Sequence, residues 1–491
     1  MENSSLWQKT TAPFPDFPPL RQDLTCQSVV VGAGLTGVLT AWMLQEQGLD
    51  VVLLESSAPG QGATGHTTAK ITAQHGLCYA DLIAAHGKKK AGQYARANLD
   101  AVNAYAELVR KLGIDCDFRR ADSFLYSRTS KAAIQSERDA AVSLGVRAEL
   151  VQETELPFPV AAAVKFPDQA CFHPLKFLSA LLPKLRVYAH TTARSVKDGC
   201  VLTDRGSVRA KHIVIATRFP FFQAPGLYFA RMHQERSYAL SISGVSPLAG
   251  MYIDAEKNGV TFRPWQDQII LGGRGHRTGF QPILDGYEAL KLDAQRWYPG
   301  CTVTAHWSTE DGMPADRVPY IGCYEQKSGR VYIAAGFQKW GMTTAMAAAQ
   351  ILTNQICGHP SENAEVFSPH RLPIPIGLGQ TLSDSGISIG NLLSQAFYVP
   401  GSQLREIAPG HGGIVLWNGR KVGVYHSEDD RYYLVSTRCP HMGCQLAWNQ
   451  AEHSWDCPCH GSRFSYDGRR IDPPANKSLS CKLVKKQKNP C

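Results

Sequence analysis

The chain has 491 residues, a hydrophobic fraction of 44% and a formal net charge of +9. That length is more than one core supports and predicts about two to four domains, while a charged fraction of 19% argues against large-scale disorder. The basic residues are dispersed except for a tail of Lys482, Lys485, Lys486 and Lys488, so no nucleic-acid partner is indicated. A basic surface does suit an acidic redox partner.

No apolar run approaches the ~18 residues of a membrane span, and Met1–Arg21 lacks a secretory apolar segment. Of fourteen cysteines, four sit in one dense stretch near the end and the other ten lie singly, which suits a reducing compartment. The expectation is a soluble, cytoplasmic protein. Residues 1–27 read as an extended arm, because Pro13, Pro15, Pro18 and Pro19 oppose a helix.

A buried-strand run, Ser28–Val31, leads into Gly32-Ala33-Gly34-Leu35-Thr36-Gly37. A helical pattern follows, then a second strand, Asp50–Leu54, ending at Glu55 and Ser56. In such a βαβ unit the first glycine permits the tight turn, the second admits a pyrophosphate, and the third lets helix and strand pack closely. The helix N-terminus faces the phosphates and Glu55 can bind ribose hydroxyls. No second unit of this kind occurs, so one dinucleotide is expected. The Gly/Thr-rich loop Gly60–Lys70, with Thr64, Gly65, His66, Thr67, Thr68 and Lys70, directly follows the ribose acid and can wrap a ligand with backbone amides. Two further strands fit the same sheet: His212–Thr217, ending in Ala216-Thr217, and Arg330–Gly336. The latter leads through Trp340, Gly341, Met342 and Thr343 into an Ala-rich helix from Thr344.

At these residues the chain resembles FAD-dependent amine and amino-acid oxidoreductases of the D-amino-acid oxidase and glycine oxidase type, over about residues 28–357. The resemblance implies FAD, its pyrophosphate over Gly32–Gly37 and its ribose on Glu55. It places the flavin ring between the Thr64–Lys70 loop and the Gly336–Thr343 turn. Ala216-Thr217 would match the family's Ala-Thr-Gly turn, with Arg218 in place of its glycine, and Ala193 stands where the family often sets a valine against adenine. His66–Lys70 departs from the Ser-rich loop of the simple oxidases and looks like the branch that carries a C-terminal Rieske domain.

Two inserts interrupt the cofactor segments. Residues 79–148 show helical spacing at Leu82, Ile83, Tyr94, Ala101, Val102, Tyr105, Leu108 and Val109. Residues 235–310 read as strands, and the resemblance implies a mixed sheet roofing the substrate. Arg263, Arg274 and His276 near its strand ends are candidates for binding a carboxylate, though an arginine so placed is more often a surface salt-bridge residue. His66 and Lys70 are candidates for flavin contact or acid/base work, and no single catalytic base stands out. Residues 358–405, with Pro373, Pro375, Gly377 and Gly379, read as a linker.

From Glu406 to residue 491, short alternating strands (Ile414–Trp417, Lys421–Tyr425, Tyr432–Val435) lead to Cys439-Pro440-His441-Met442-Gly443-Cys444 and then Cys457-Pro458-Cys459-His460-Gly461-Ser462. Two Cys-plus-His pairs, Cys439/His441 and Cys457/His460, suit a [2Fe–2S] cluster with two thiolates on one iron and two imidazoles on the other. Zinc accepts mixed Cys/His sets too, but does not explain Cys444 and Cys459. The stretch resembles the Rieske ferredoxin signature. That resemblance implies a Cys444–Cys459 disulfide and a Ser462 hydroxyl on a cluster sulfur. It also leaves Phe464 where high-potential members carry a tyrosine, so a lower potential is expected.

The expected fold is α/β: a Rossmann-like FAD domain with a mixed-sheet substrate domain, and a small all-β Rieske domain. The expected activity is a dehydrogenase that takes hydride from a small amine or amino-acid-like substrate and passes electrons singly to the cluster, then to a one-electron acceptor protein or a quinone-type acceptor. The alternatives are an electron-transfer flavoprotein without its own substrate and an oxidase using oxygen directly. Ile270 aligns where related amine oxidases place an oxygen-activating lysine, which favours the dehydrogenase. A Rieske oxygenase would need a mononuclear iron on two His and a carboxylate, and no convincing set is present.

Overall fold

The computed structural model describes residues 4–221, 228–280, 284–325, 329–371 and 404–485. The run Leu24–Val31 is the centre of the first sheet. It pairs in parallel with Val51–Leu54 on one side and Ser207–Ile215 on the other, and the order continues to Val331–Ala335 and an antiparallel Tyr320–Cys323. Val29, Val30, Ile213 and Val214 are fully buried, as expected where a parallel sheet is covered on both faces. The glycine-turn helix Leu35–Glu46 and the Ala-rich helix Gly341–Ile356 share the core on one face through Leu39, Ala345, Met346 and Ala349.

The second sheet has nine strands and roofs the first. Its path runs Thr302–Pro314, Met232–Ser243, Gln268–Arg277, Val260–Trp265, Met251–Asp254, Arg119–Ser127, Ala162–Cys171 and Lys70–Ile71. The insert 79–148 is therefore not helical throughout. Two helices, Tyr79–Leu112 (broken at Gly87, φ 77°) and Lys131–Ser143, flank the strand Arg119–Ser127. That strand is built by pairing with residues far away in sequence, Ala162–Cys171 and Met251–Asp254. The insert 235–310 extends to 232–314 as strands and also holds the helix Gly286–Trp297, which Asp285 caps by accepting from the Tyr287 N–H.

Two boundaries change. The arm is not simply extended. Ser5 and Gln8 form a capping box on a short helix, Leu6–Lys9, upstream of the prolines. Trp7 on that turn is fully buried, donates from Nε1 to the Thr67 carbonyl at 2.7 Å and lies under the Arg263 guanidinium. The arm thus holds the Gly/Thr-rich loop from below. Of the expected linker, residues up to 371 belong to the first domain. Phe367 is fully buried, and Arg371 grips Asp316 at 2.7 Å and stacks on Tyr320. The remainder, 372–403 with its prolines and glycines, lies outside the described residues.

The C-terminal unit is two four-stranded antiparallel sheets. One is His411–Trp417, Arg420–His426, Arg431–Ser436 and Cys481–Lys485, and the other is Ala447–Asn449, Ser454–Asp456, Arg463–Ser465 and Arg470–Asp472. Among the described residues no helix is long and apolar enough to cross a membrane.

Candidate active site and cluster loops

A cavity of about 590 Å³ lies between the parallel sheet and the roof. At its first end the glycine turn has the required shape. A Cβ on Gly32 (φ 106°) would lie 2.7 Å from the Ala216 carbonyl oxygen, and one on Gly37 would lie 1.8 Å from that of Gly32. Gly34 caps the helix without a side-chain bond, leaving its N-terminus open to a ligand, and Thr64 Oγ1 accepts from the Leu35 N–H at 2.9 Å. Glu55 accepts from the N–H groups of Ala33 (2.8 Å) and Ser57 (2.9 Å) and lines the cavity beside Ser56. Thr36, Ala193, Ala216 and Thr217 complete this end. Ala33, Gly37, Gly65 and Thr343 stand behind the wall. Thr343 braces it by exchanging hydrogen bonds with the Thr72 backbone at 2.8 and 2.9 Å.

At the other end His66, Thr67, Thr68 and Lys70 face Gly336, Trp340, Gly341 and Met342, as the sequence suggests. His66 Nδ1 donates to the Gly62 carbonyl at 3.0 Å, which locks the loop. Lys70 is different. Its ammonium meets only the hydroxyls of Thr68 (3.1 Å) and Thr261 (2.9 Å), and no carboxylate pairs with it among the described residues. Burial, then the nearby Arg263 charge, lower its pKa to about 7. Asp254 and Asp311 line the same cavity, each pushed up to about 7, foremost by burial.

Three sequence candidates lie elsewhere. Arg263 is buried beside Trp7 and donates to the Phe172 carbonyl at 2.8 Å. Arg274 forks onto Asp293 at 2.5 and 2.8 Å, and His276 bonds Tyr238 Oη at 3.0 Å. None of them lines the cavity. Ile270 is fully buried in the roof and does not face the cavity either, so it carries no information on oxygen; two lysines line the cavity, Lys70 and Lys339, and Lys339 pairs with Glu235 at 3.2 Å.

The two Cys/His loops are near copies of each other. In each, the first cysteine's N–H donates to a carbonyl five residues on (Cys439 to Cys444 and Cys457 to Ser462, both 2.8 Å). A glycine N–H returns to that cysteine's carbonyl (Gly443 and Gly461, both 2.9 Å). Both glycines have positive φ, 76° and 79°, which the turn requires. The loops bring the His441 and His460 rings to 5.0 Å, edge to face. Cys444 and Cys459 form a disulfide across them, with Cα atoms 6.6 Å apart. Ser462 Oγ accepts from the Ala475 N–H at 2.9 Å.

Residues 27–355 match the family described as FAD dependent oxidoreductase, and residues 398–484 match the Rieske [2Fe-2S] domain. The chain belongs to the FAD-dependent oxidoreductases and carries a Rieske domain. The Bacillus subtilis protein YhfW, whose name gives it as a Rieske 2Fe-2S iron–sulfur protein, is 34% identical over 97% of both chains. Glycine oxidase from Geobacillus kaustophilus superposes on 71% of this chain and 99% of its own, with a TM-score of 0.60 at 17% identity. L-proline dehydrogenase from P. horikoshii does so over 72% and 98%, with a TM-score of 0.59 at 18% identity. At such identity these two show the fold.

FAD and a [2Fe–2S] cluster are the cofactors of this oxidoreductase, and the residues fit both. A side chain at Gly32 or Gly37 would fill the dinucleotide cradle, and the facing loops bring two imidazole rings to 5.0 Å and carry one further thiol each, Cys439 and Cys457, in the same buried cluster. The Rieske domain of this oxidoreductase also closes the flavin cavity, through Arg470–Pro473. Arg218, directly after the Ala216-Thr217 turn, reaches across with Nη2 to Asp472 at 2.5 Å and to Glu310 at 3.3 Å. Arg236, 1% exposed, pairs with Glu452 at 3.0 Å, and Tyr287 Oη donates to the same carboxylate at 2.7 Å. Burial opposes ionisation of Glu452, yet the charges of Arg236 and Arg463 hold its pKa down to about 2. Sequence reasoning missed this network because its members come from both domains. Arg218 was its one visible sign.

Phe464 is fully buried among the cluster cysteines. Phe464→Tyr is expected to raise the cluster's midpoint potential, because a hydroxyl donating to sulfur stabilises the reduced form. An EPR-monitored redox titration checks it, and an unchanged or lower midpoint refutes it.

Proposed function

We propose that the protein is a cytoplasmic dehydrogenase for a small amine or amino-acid-like substrate, with Cys439, Cys457, His441 and His460 holding the cluster that drains the flavin. The observation that carries this reading is the shared wall: the segment Arg470–Pro473 of the Rieske domain borders the flavin cavity, so the domain of an internal one-electron acceptor stands against the space that takes the flavin. Bound FAD supplies the two-electron acceptor for hydride from the carbon next to nitrogen. Thr68, Lys70, Thr261 and Trp340 surround the space left for substrate. Lys70 takes the ammonium proton, so that the amine lone pair is available as hydride leaves. The electrons depart toward an external acceptor at Pro440, Met442 and Gly443, the exposed flank of the His441 loop; Met442 is 51% exposed. The other described cysteines outside the cluster loops are free thiols, which supports a reducing compartment.

Anaerobic mixing with secondary amines, N-methyl amino acids and proline-like compounds tests the reading. The expected result is flavin bleaching followed by a reduced-cluster EPR signal. No bleaching by any of them would favour an electron-transfer flavoprotein without its own substrate. One observation favours an oxidase instead, the Lys70 amine inside the cavity. Fast reoxidation of reduced flavin by oxygen in stopped flow would establish that reading and end the dehydrogenase one.

Lys70 gives a further test. Its ordinary pKa is depressed to about 7, so the neutral, proton-accepting form is the minority below that pH and the majority above it. The rate of flavin bleaching at low substrate is expected to rise about tenfold per pH unit below 7 and to level off above it. Lys70→Met is expected to lose that step and to be slower by about 100-fold or more. A step that survives in Lys70→Met assigns the proton to another group.

A further inference from the structure

We propose that Gln234 is the positioning residue of a fixed electron-transfer dock, tying the wall of the flavin cavity to the peptide of cluster ligand His460. The inference rests on the flavin-to-cluster reading above and adds its route and its rigidity. Gln234 lies on Met232–Ser243 and is 2% exposed. Its backbone pairs with Gly312, which lines the cavity against Gly336. Its side-chain Nε2 donates to the His460 carbonyl at 2.9 Å and to the Pro473 carbonyl at 3.1 Å. Both acceptors are carbonyls, so the amide orientation is forced: only the NH₂ end can face them. Oε1 is then left buried without a partner among the described residues. A methionine would fill the same space without that orphan acceptor, so the two donors are what the glutamine adds.

The surroundings allow no slack at this point. Gly461 (φ 79°) packs its backbone onto Gln234, where a Cβ would meet the side chain at 2.6 Å. On the other domain Gly279 (φ 82°) meets Pro458, where a Cβ would lie 2.4 Å from its Cα. Glycine on each side thus brings backbone onto the partner domain at the His460 loop. Two ionic contacts, the half-buried Arg218 with Asp472 and the more deeply buried Arg236 with Glu452, flank the contact. A Rieske head that swung away between turnovers would have to expose or strand these charges, whereas a docked one keeps the path from Gln234 through a single hydrogen bond to the ligand residue. His441 sits on the opposite, exposed loop, so input and output use different ligands.

Each transfer moves one electron and reduces one ferric iron of the cluster to ferrous. Two transfers and loss of one proton return FADH⁻ to FAD, with the cluster emptied between them by the external one-electron acceptor.

The test uses the holoprotein and needs no substrate. Flavin is reduced anaerobically by a deazaflavin flash with a sacrificial donor, and cluster reduction is followed by absorbance. In the native protein the transfer is expected to be independent of protein concentration and of glycerol viscosity. In Gln234→Met it is expected to slow at least tenfold, with cluster EPR spectrum and midpoint potential unchanged, a combination that a damaged cluster site would not give. An undiminished rate in loaded Gln234→Met overturns the proposal, and so does a native rate that falls in proportion to viscosity. Should the variant fail to load its cofactors, the viscosity measurement on the native protein decides alone. No cluster reduction in the native protein overturns the flavin-to-cluster reading, and the dock with it.

Discussion

Gly37→Ala is expected to purify without FAD, with affinity for the cofactor lowered at least about 100-fold, equivalent to about 3 kcal/mol. The reason is local and severe. The added methyl would sit 1.8 Å from the Gly32 carbonyl oxygen, a backbone atom that no rotamer change can move. Relief requires the helix Leu35–Glu46 to shift off the strand Leu24–Val31, and this carries its N-terminal N–H groups away from the position a pyrophosphate takes. Overpacking of this kind costs about 1–3 kcal/mol of stability as well, so the apoprotein should also unfold at lower urea. Gly48→Ala is the control. A Cβ there meets nothing within 4 Å, although φ is 80°, so only a left-handed penalty of about 1 kcal/mol is expected and FAD should stay bound. Flavin absorbance after gel filtration separates the two variants. Retention of FAD by Gly37→Ala would show that the cradle does not depend on that close approach.

What could be read from the sequence divides along the range of the interactions. Gly32, Gly34, Gly37 and Glu55 were legible because one βαβ unit holds them all and the chemistry dictates their spacing. The cluster loops were legible for the same reason, each being a six-residue turn closed by its own backbone bonds. The roof was not. Arg119–Ser127 lies in a segment with helical spacing on both sides and becomes a strand by pairing with chain about 40 and 130 residues away. Trp7 could not be placed either, since its pocket is made by Trp265, His173 and the Thr67 carbonyl. The roof arginines failed as carboxylate binders because a strand position fixes which way a side chain points, and Arg263 points into the core. Lys70 succeeded as a cavity residue because the loop that carries it directly follows the ribose acid. Gln234 gave no signal at all. Its role exists only once two domains meet.

Arg218→Gly is expected to destabilise the protein by about 1–2 kcal/mol and to loosen the two domains. Two effects oppose each other. Arg218 is held at φ 63°, and an L-residue there costs about 1–2 kcal/mol that glycine would not. Against this, removing one partner of a buried ion pair costs about 3–5 kcal/mol, because the charge left behind is uncompensated. Here Asp472, partly exposed at the rim of the cavity, still has Arg463 at 3.0 Å, and burial raises the pKa of Glu310 to about 8, so the lower end of that range applies. Burial works against ionisation of Asp472, but the charges of Arg218 and Arg463 outweigh it and depress its pKa below the usual carboxylate range. A depressed acid adds stability above its unfolded pKa of about 4 and loses it as the pH falls further. Arg218→Gly should therefore lose most at neutral pH and approach the native protein's stability in acid. Pairing it with Asp472→Asn should recover part of the loss, since a carboxylate left with Arg463 alone is gone, and a double-mutant cycle by urea unfolding measures that coupling. Small-angle scattering gives the second readout, with a larger radius of gyration expected for Arg218→Gly at neutral pH. A variant as stable and as compact as the native protein would mean that the dock is held by the Arg236–Glu452 pair and Gln234 without this arginine.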